Sequence, residues 1–407
     1  MRARALHTER KLLLKLWPLI TVQLLTGAGF ALSLPFLSLY LYQDRGVPMG
    51  LVGTIMLGSA AVSAVARVAG GELSDRLGRR PVLLGALTLR VLLFLGLSAA
   101  VHFDLWVIFI AFLYLGVRFS GAFAMPAATA MVADLSTEEE RMRAYGILRV
   151  GANVGWALGP SVGGFLKTFL PYQALFLLTA TVSALCLSVA LLFLRESLGR
   201  KRAERTGFAE VFASLRDPGF RRFIGLSLLV LLVMGQLVST LSVFVVDRLG
   251  LSTAHFGGML TLNGLLVVAL QYPLARALEH RSRRRVLALG AFLYGAGYLS
   301  MGWLHTFAAL LGAVGVATLG EIVFMPAALA VVAHLASPAE RGRYMGLWGL
   351  AESFGWSAGP LIGGVLLDLF PHDPRPLWGI IASMSFAACV GFLRSGSGKE
   401  GAPQLPS

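Results

Sequence analysis

Charged residues are scarce in this chain of 407 residues. They make up 14% of the sequence, whereas 56% is hydrophobic and the mean hydropathy is +0.74. Soluble domains carry about 25% charged and roughly 45–50% apolar residues, so this balance excludes an ordinary set of soluble domains. The apolar runs are continuous rather than alternating, which excludes a membrane barrel as well. The composition therefore predicts an all-α membrane protein, in which helices satisfy the backbone hydrogen bonds inside lipid.

Cysteine and clustered histidine are also nearly absent. The two cysteines, Cys186 and Cys389, lie far apart in apolar segments, which predicts inert core residues rather than a disulfide. Seven scattered histidines form no ligand pattern for zinc, and we expect no metal and no cofactor. Basic residues outnumber acidic ones by 35 to 21, but they are spread through short segments, which excludes a nucleic-acid-binding groove.

A long internal repeat is the most informative feature that is present. Residues 124–164 reappear as residues 324–364 without insertion or deletion, so that Gly159-Pro160, for example, matches Gly359-Pro360. A duplication of this length in an apolar chain is typical of transporters built from two related halves.

Apolar runs of about 20 residues, long enough to cross a bilayer as helix, predict twelve membrane spans, six in each half. The predicted spans are 17–41, 50–71, 81–101, 105–133, 143–169, 173–194, 223–246, 255–275, 286–304, 307–333, 344–367 and 377–393.

The same runs predict the domain organisation. Two six-helix bundles, 1–194 and 223–394, are joined by a polar cytoplasmic linker at 195–222, and a disordered tail follows at 395–407. Within the linker, the stretch around Phe208 to Leu215 predicts a short amphipathic helix at the membrane surface, and a plain solvated tether fits the same residues equally well.

The basic residues predict the orientation of the chain. Of the 35 Lys and Arg residues, 27 lie in or at the edges of segments on the side of the N-terminus, four in or at the edges of the opposite segments and four deeper inside spans. Positive charge marks the cytoplasmic side, so both termini are predicted to be cytoplasmic in a multi-pass protein of the cell membrane. The basic N-terminus does not predict a cleaved signal peptide, because its apolar run continues as a full span.

A charged turn separates the second and third spans. It matches the signature G-x-L-x-D-R-x-G-R-[KR] at every specified position. The specified residues with polar or conformational roles are Gly71, Asp75, Arg76, Gly78, Arg79 and Arg80. Gly78 permits a tight turn, Gly71 permits close approach of a neighbouring backbone, and the charged side chains can make charge-assisted hydrogen bonds at a helix end.

This signature resembles the corresponding loop of the major facilitator superfamily. The resemblance implies that the loop latches the two halves together when the cytoplasmic side is shut. It further implies that Asp75 sits against the N-terminal end of the eleventh span and that Arg79 pairs with Asp134 at the end of the fourth. A carboxylate is favoured at such a helix N-terminus by the helix dipole.

A glycine stripe marks the fifth span. Its residues are Gly151, Gly155, Gly159, Pro160 and Gly163. Glycines at four-residue spacing form a face along which another helix can approach closely, and proline introduces a bend. The stripe resembles the motif of the drug/proton antiporter branch of the superfamily, and generic helix packing is the alternative interpretation.

Ionisable residues inside spans are costly, which makes each of them a candidate for function. Arg118 and Glu321 fall at matching depths of the fourth and tenth spans, which line the central cavity in the superfamily. A desolvated carboxylate such as Glu321 can exchange its proton for a substrate, or it can simply neutralise Arg118. The further candidates for a substrate or proton site are Glu352, Arg149, Gln23 and Tyr40.

These patterns predict a secondary active transporter, a monomer, that exports small amphiphilic or drug-like compounds in exchange for protons. The four embedded arginines, Arg67, Arg90, Arg118 and Arg149, also support an alternative, the transport of an anionic metabolite. A membrane enzyme or a non-transporting sensor is a remote third interpretation, because the sequence contains no nucleophile elbow and no phosphate-binding loop.

Overall fold

The structure is a computed structural model that describes residues 2–198, 212–337 and 340–394, and over these residues it contains helices and no strand. Each of the twelve predicted spans overlaps one long helix, and three of them, 17–41, 223–246 and 286–304, continue into the irregular turns that follow their helix. The helices are α1 Arg2–Ser33, α2 Met49–Leu77, α3 Arg79–His102, α4 Val107–Leu135, α5 Glu138–Lys167, α6 Tyr172–Phe193, α7 Pro218–Met234, α8 Thr253–Leu278, α9 Arg283–Ser300, α10 Phe307–Leu335, α11 Arg341–Leu369 and α12 Pro374–Arg394.

Ten of these helices, taken with their continuations, are long and apolar enough to cross a membrane. The two others are α5 and α11, which are rich in glycine and begin with charged residues. For the ten, length and composition support the predicted span. For α5 and α11 the crossing remains a prediction.

The helix starts follow from local sequence. Thr137 and Glu140 form a capping box at the start of α5. Asp217 caps α7 by accepting hydrogen bonds from the backbone of Gly219 and Phe220. By contrast, α2 begins after Pro48, which offers no side-chain cap, and its first turn contains no acidic residue.

Two helices continue through a matched series of irregular turns. After α1 come a 3₁₀ turn at Leu34–Phe36, an α turn at Leu37–Leu39 and a π turn at Tyr40–Asp44. After α7 the order is the same, with turns at Gly235–Leu237, Thr240–Val243 and Phe244–Arg248. The duplication therefore extends to backbone irregularities that the sequence alone does not predict.

Internal contacts divide the chain into two compact units. The first contains residues 1–205, 236–268 and 360–369, and the second contains 206–235, 269–359 and 370–407. The first unit has an apolar core built from α1, α3, α4, α5 and α6, with Leu16, Leu19 and Met131 among its fully buried residues. In the second unit, Phe220 packs on Tyr344 with ring centroids 4.3 Å apart.

Residues 199–211 of the polar linker and the whole tail lie outside the described residues. Phe212–Arg216 forms a 3₁₀ turn before α7. The rest of the predicted amphipathic helix falls on 208–211, and the predicted disordered tail on 395–407, so both lie outside the described residues.

Candidate functional site

The turn between α2 and α3 requires glycine at position 78. Its φ is +108°, a region that L-residues with a side chain rarely adopt. A Cβ at this position would also lie 2.5 Å from Oε2 of Glu196. The predicted tight turn is present, and its positive φ is the reason that glycine is needed there.

Arg79 is the centre of a polar cluster at this turn. Arg79 is 9% exposed, and its guanidinium donates to Ser74 Oγ at 2.6 Å and pairs with Asp75 near the end of α2. Its Nε lies 3.6 Å from Oδ2 of Asp134, so the pairing of Arg79 with Asp134 is present in the structure. The contact of Asp75 with the eleventh helix remains a prediction.

The other arginines of the turn support the helices around it. Arg76 pairs with Glu72 at 2.5 Å along α2. Arg80 donates to the carbonyl oxygen of Leu191 at 2.9 Å, which ties the start of α3 to the end of α6.

Glu196, just after α6, completes this cluster and was not predicted from the sequence. Its carboxylate accepts the backbone N–H groups of Arg79 and Arg80 at 3.0 and 3.1 Å. It also accepts those of Ser197 and Leu198, both at 2.9 Å. Partial burial acts to raise the pKa of Glu196, but these four donors outweigh it and leave the pKa lowered. The start of α3 has no side-chain cap of its own, but the sequence does not indicate which distant acid caps it.

Ser197 extends the cluster into the connecting segment. Its hydroxyl donates to Oδ2 of Asp134 at 2.9 Å. Glu196 and Ser197 thus bind the segment after α6 to the start of α3 and to the end of α4.

One glycine assignment was wrong. Gly71 was expected to permit close approach of a neighbouring backbone, but a Cβ there would make only an ordinary 3.8 Å contact with Pro126. The close approach is made by the preceding residue, since a Cβ on Gly70 would overlap the carbonyl oxygen of Phe123 in α4. One residue along a helix changes the direction of the side chain by about 100°, and it is Gly70 that faces α4.

The glycine stripe of α5 lies directly against the backbone of α1. A Cβ on Gly155 would overlap the carbonyl oxygen of Leu24, and one on Gly159 would lie 2.7 Å from that of Ala28. Gly163 meets Leu32 in the same way, and Gly151 has Ile20 at 3.1 Å. All four predicted glycines therefore face α1, and at three of them, Gly155, Gly159 and Gly163, the backbones of the two helices meet directly.

The opposite face of α5 packs on α8. The carbonyl oxygen of Pro160 touches Gly257, and the hydroxyls of Ser161 and Thr261 are 2.5 Å apart. In α11 the repeated stripe packs similarly, with a Cβ on Gly355 placed 2.5 Å from Leu231 of α7.

Arg118 of α4 lies over the ring of Phe30 in α1, with its guanidinium carbon 5.4 Å from the ring centroid. Its Nε is buried and has no hydrogen-bond partner in the described part of the chain. Phe30 in turn contacts Trp156 of α5 at 5.9 Å between centroids. An embedded cation over an aromatic ring can bind an acidic or aromatic group.

Arg90 of α3 is a second embedded cation, and it is only 7% exposed. It donates to Thr26 Oγ1 at 3.0 Å, and a Cβ on Gly121 would lie 3.4 Å from its guanidinium. No carboxylate among the described residues lies within ion-pair distance of it. The glycine at position 121 leaves the room that this side chain occupies.

In the second unit the corresponding contact holds a carboxylate. Glu321 of α10, which replaces Gly121 in the repeat, is half-buried and lies beside the buried phenol of Tyr294 in α9. Tyr294 stacks on Tyr298 at 6.4 Å, and Tyr298 stacks on Trp378 at 5.6 Å. The rings of Tyr294 and Tyr298 can shield Glu321 from water, an environment that can shift the pKa of a carboxyl group.

The remaining candidates are spread over the bundle. Tyr40 is buried against Tyr172 and accepts a hydrogen bond from Arg45 at 3.2 Å, within the π turn that follows α1. Gln23 and Glu352 are half-buried within α1 and α11, and Arg149 is exposed on α5. Tyr40 and Arg118 therefore contact different residues.

Solved structures of transporters have the same fold. The nucleoside transporter NupG aligns with a TM-score of 0.82 over 95% of this chain and 100% of its own, at 15% identity. A POT family transporter, solved with a thioalcohol-conjugated peptide, aligns with a TM-score of 0.78 over 93% and 95%, at 16% identity. At these identities the likeness concerns the fold alone.

Relatives similar in sequence cover nearly the whole chain. The multidrug resistance protein MdtH of Aeromonas hydrophila is 28% identical over 90% of this chain and 91% of its own. An uncharacterized MFS-type transporter of Bacillus subtilis, YqjV, is 27% identical over 89% and 88%. YqjV is named as a transporter, and neither name is that of an enzyme. The family model of the Major Facilitator Superfamily matches residues 19–267 and 237–406, and the chain therefore belongs to that superfamily.

Proposed function

We propose that this protein is a secondary active transporter of the cell membrane that exports small amphiphilic or drug-like compounds in exchange for protons. It acts by alternating access, as a monomer. Its similarity to MdtH, a multidrug resistance protein, supports efflux. The glycine stripe of α5 against α1 supports the exchange mode, since this stripe resembles the antiporter motif.

The observation that carries proton coupling is the environment of Glu321. It is a half-buried carboxylate in the middle of α10, beside Tyr294 and near stacked aromatic rings. An embedded carboxylate is retained at a cost, and proton exchange is a role that requires one there. Substrate and proton then compete, because either one neutralises or displaces the charge of Glu321.

The test uses inverted membrane vesicles with an imposed proton gradient. Wild type is expected to accumulate fluorescent lipophilic compounds only with the gradient, and Glu321→Gln to lose most of that accumulation. A matched control is Glu279→Gln, which removes an exposed acid from the loop between α8 and α9. Gradient-driven accumulation that survives in Glu321→Gln would exclude this carboxylate as the coupling group.

A second candidate function is transport of an anionic compound. It is favoured by Arg118, which lies over Phe30, and by Arg90, which has no carboxylate partner among the described residues. In the same vesicles, accumulation of organic anions alone, abolished by Arg118→Gln, would support this function over the first.

A further inference from the structure

The start of α2 is capped by a residue from a distant part of the chain. A helix leaves its first N–H groups without partners inside the helix, and Pro48 offers no side chain to accept them. Asp368, at the end of α11, accepts hydrogen bonds from the first two of these N–H groups, those of Met49 and Gly50. Its Oδ1 lies 3.1 Å from the backbone nitrogen of Met49, and its Oδ2 lies 2.7 Å from that of Gly50. The positive end of the α2 dipole strengthens this contact with a carboxylate.

Glycines bring the two helices together at this point. A Cβ on Gly364 would overlap the carbonyl oxygen of Met49, and one on Gly53 would overlap Leu361. A Cβ on Gly50 would lie 3.3 Å from Asp368 itself. The contact therefore consists of backbone, small residues and one charged cap rather than interlocked apolar side chains.

Other polar contacts close the same end of the first unit, the end opposite the N-terminus. The hydroxyls of Ser38 and Ser242 are 3.3 Å apart, and Gln43 donates to Asp247 at 3.3 Å. Arg248 donates to the phenol oxygen of Tyr42 at 3.0 Å. All of these groups can be hydrated after separation, so such a closure can open without exposing a large apolar surface.

The charge of the cap belongs to one copy of the repeat only. Position 168, the counterpart of Asp368, is a threonine whose hydroxyl donates to the carbonyl oxygen of Phe165 in its own helix. In the equivalent contact between α5 and α8, Thr253 donates to the carbonyl oxygen of Gly164 at 3.1 Å. An ionic cap on α2 is thus a specific feature of the second copy.

We propose that Asp368 is a releasable latch that keeps this end of the transporter closed by capping α2. The proposal rests on the transport function above, because a transporter requires closures that open in each cycle. When the latch releases, Met49 and Gly50 exchange their carboxylate partner for water, and the buried segment around Ser38 becomes accessible.

The experiment measures access to that segment in purified, detergent-solubilised protein. In a Cys389→Ala background, Ser38→Cys reports opening by its rate of reaction with a maleimide. A control protein with the native Ser38 keeps only Cys186, which is 1% exposed in the core of the first unit, so labelling of this control reports unfolding. Asp368→Ala and Asp368→Asn are expected to raise the labelling rate at position 38 by about twofold to thirtyfold, the range set by loss of a helix cap, with Cys186 still unlabelled.

The matched control is Asp373→Asn, which removes an acid five residues further along the chain. Asp373 Oδ1 accepts a hydrogen bond from the backbone nitrogen of Arg375 at 3.0 Å, within its own turn. This variant is expected to leave labelling unchanged. Unchanged labelling in both Asp368 variants would overturn the latch. Labelling of Cys186 together with position 38 would also overturn it, because Asp368 would then hold the fold as a whole. None of these readouts requires a substrate, so failure of the efflux assay remains distinguishable from failure of the latch.

Discussion

Glu196 acts on three parts of the chain through a single carboxylate. It caps α3, it occupies the space that a side chain at position 78 would need, and it fixes the backbone of the connecting segment. The charged form accepts four N–H groups, so folding favours the carboxylate over the carboxylic acid.

Stability should therefore depend on pH through Glu196. Its pKa lies below the ordinary value of 4.5, so its contribution is fully present above that value and is lost as the pH falls through the lowered pKa. Between pH 7 and about 5, Glu196→Gln is expected to melt at a lower temperature than wild type, by a constant amount. The difference should shrink on further acidification, as measured by thermal unfolding in detergent.

The exposed pair of Arg76 and Glu72 provides the control for this effect. Glu72→Gln removes an acid from the same turn but no helix cap, so its melting temperature should follow that of wild type at every pH. A Glu196→Gln deficit that grows on acidification would contradict the assigned role of the charge.

Arg90 and Glu321 illustrate how duplication allows charge to diverge. The buried positions of α3 recur in α9, with Arg90 at the place of Tyr294 and Phe94 at the place of Tyr298. In the first unit a guanidinium points toward a glycine of the next helix, and in the second a phenol faces a glutamate. The same helix contact thus accommodates a cation in one half and an anion in the other.

At the scale of elements, the stripe of α5 provides a direct test of helix contact. Gly155→Ala places a methyl group against the backbone of Leu24, which cannot turn away as a side chain would. We expect a loss of about 1–3 kcal/mol of stability and a loss of transport, because α1 must move outward. Melting temperature and vesicle accumulation measure the two effects.

Gly146 is the matched control within the same helix. A Cβ there would meet nothing within 4 Å, so Gly146→Ala should be neutral or stabilise the helix by roughly 0.5–1 kcal/mol. Equal behaviour of the two variants would mean that the stripe makes no close contact in the working protein.

The elements themselves were largely predictable, and their irregularities were not. Continuous apolar runs identified all twelve helices, and four-residue spacing identified the packing face of α5. The π turns after α1 and α7 left no signature in residue type, since they depend on which carbonyl each N–H reaches. Glu196 and Asp368 escaped prediction for a related reason. Each caps a helix distant in sequence, and a distant cap has no fixed spacing.

For the molecule as a whole, the sequence identified the family because its signature is local and its duplication is long. The substrate does not follow in the same way, because selectivity depends on many ordinary residues such as Phe30 and Trp156 acting together. The whole chain does encode an asymmetry of charge, because the predicted topology places 27 basic residues on one side of the membrane and four on the other.

That asymmetry predicts the topology, which reporter fusions can measure. Positively charged segments are retained in the cytoplasm, so both termini are expected there. A green fluorescent protein fused after Arg394 should fluoresce, and alkaline phosphatase at the same point should be inactive. Fused after Asp104, between α3 and α4, alkaline phosphatase should be active. The opposite pattern would mean that the polar cluster around Arg79 faces outward, and the cytoplasmic latch would have to be reassigned to the end that holds Asp368.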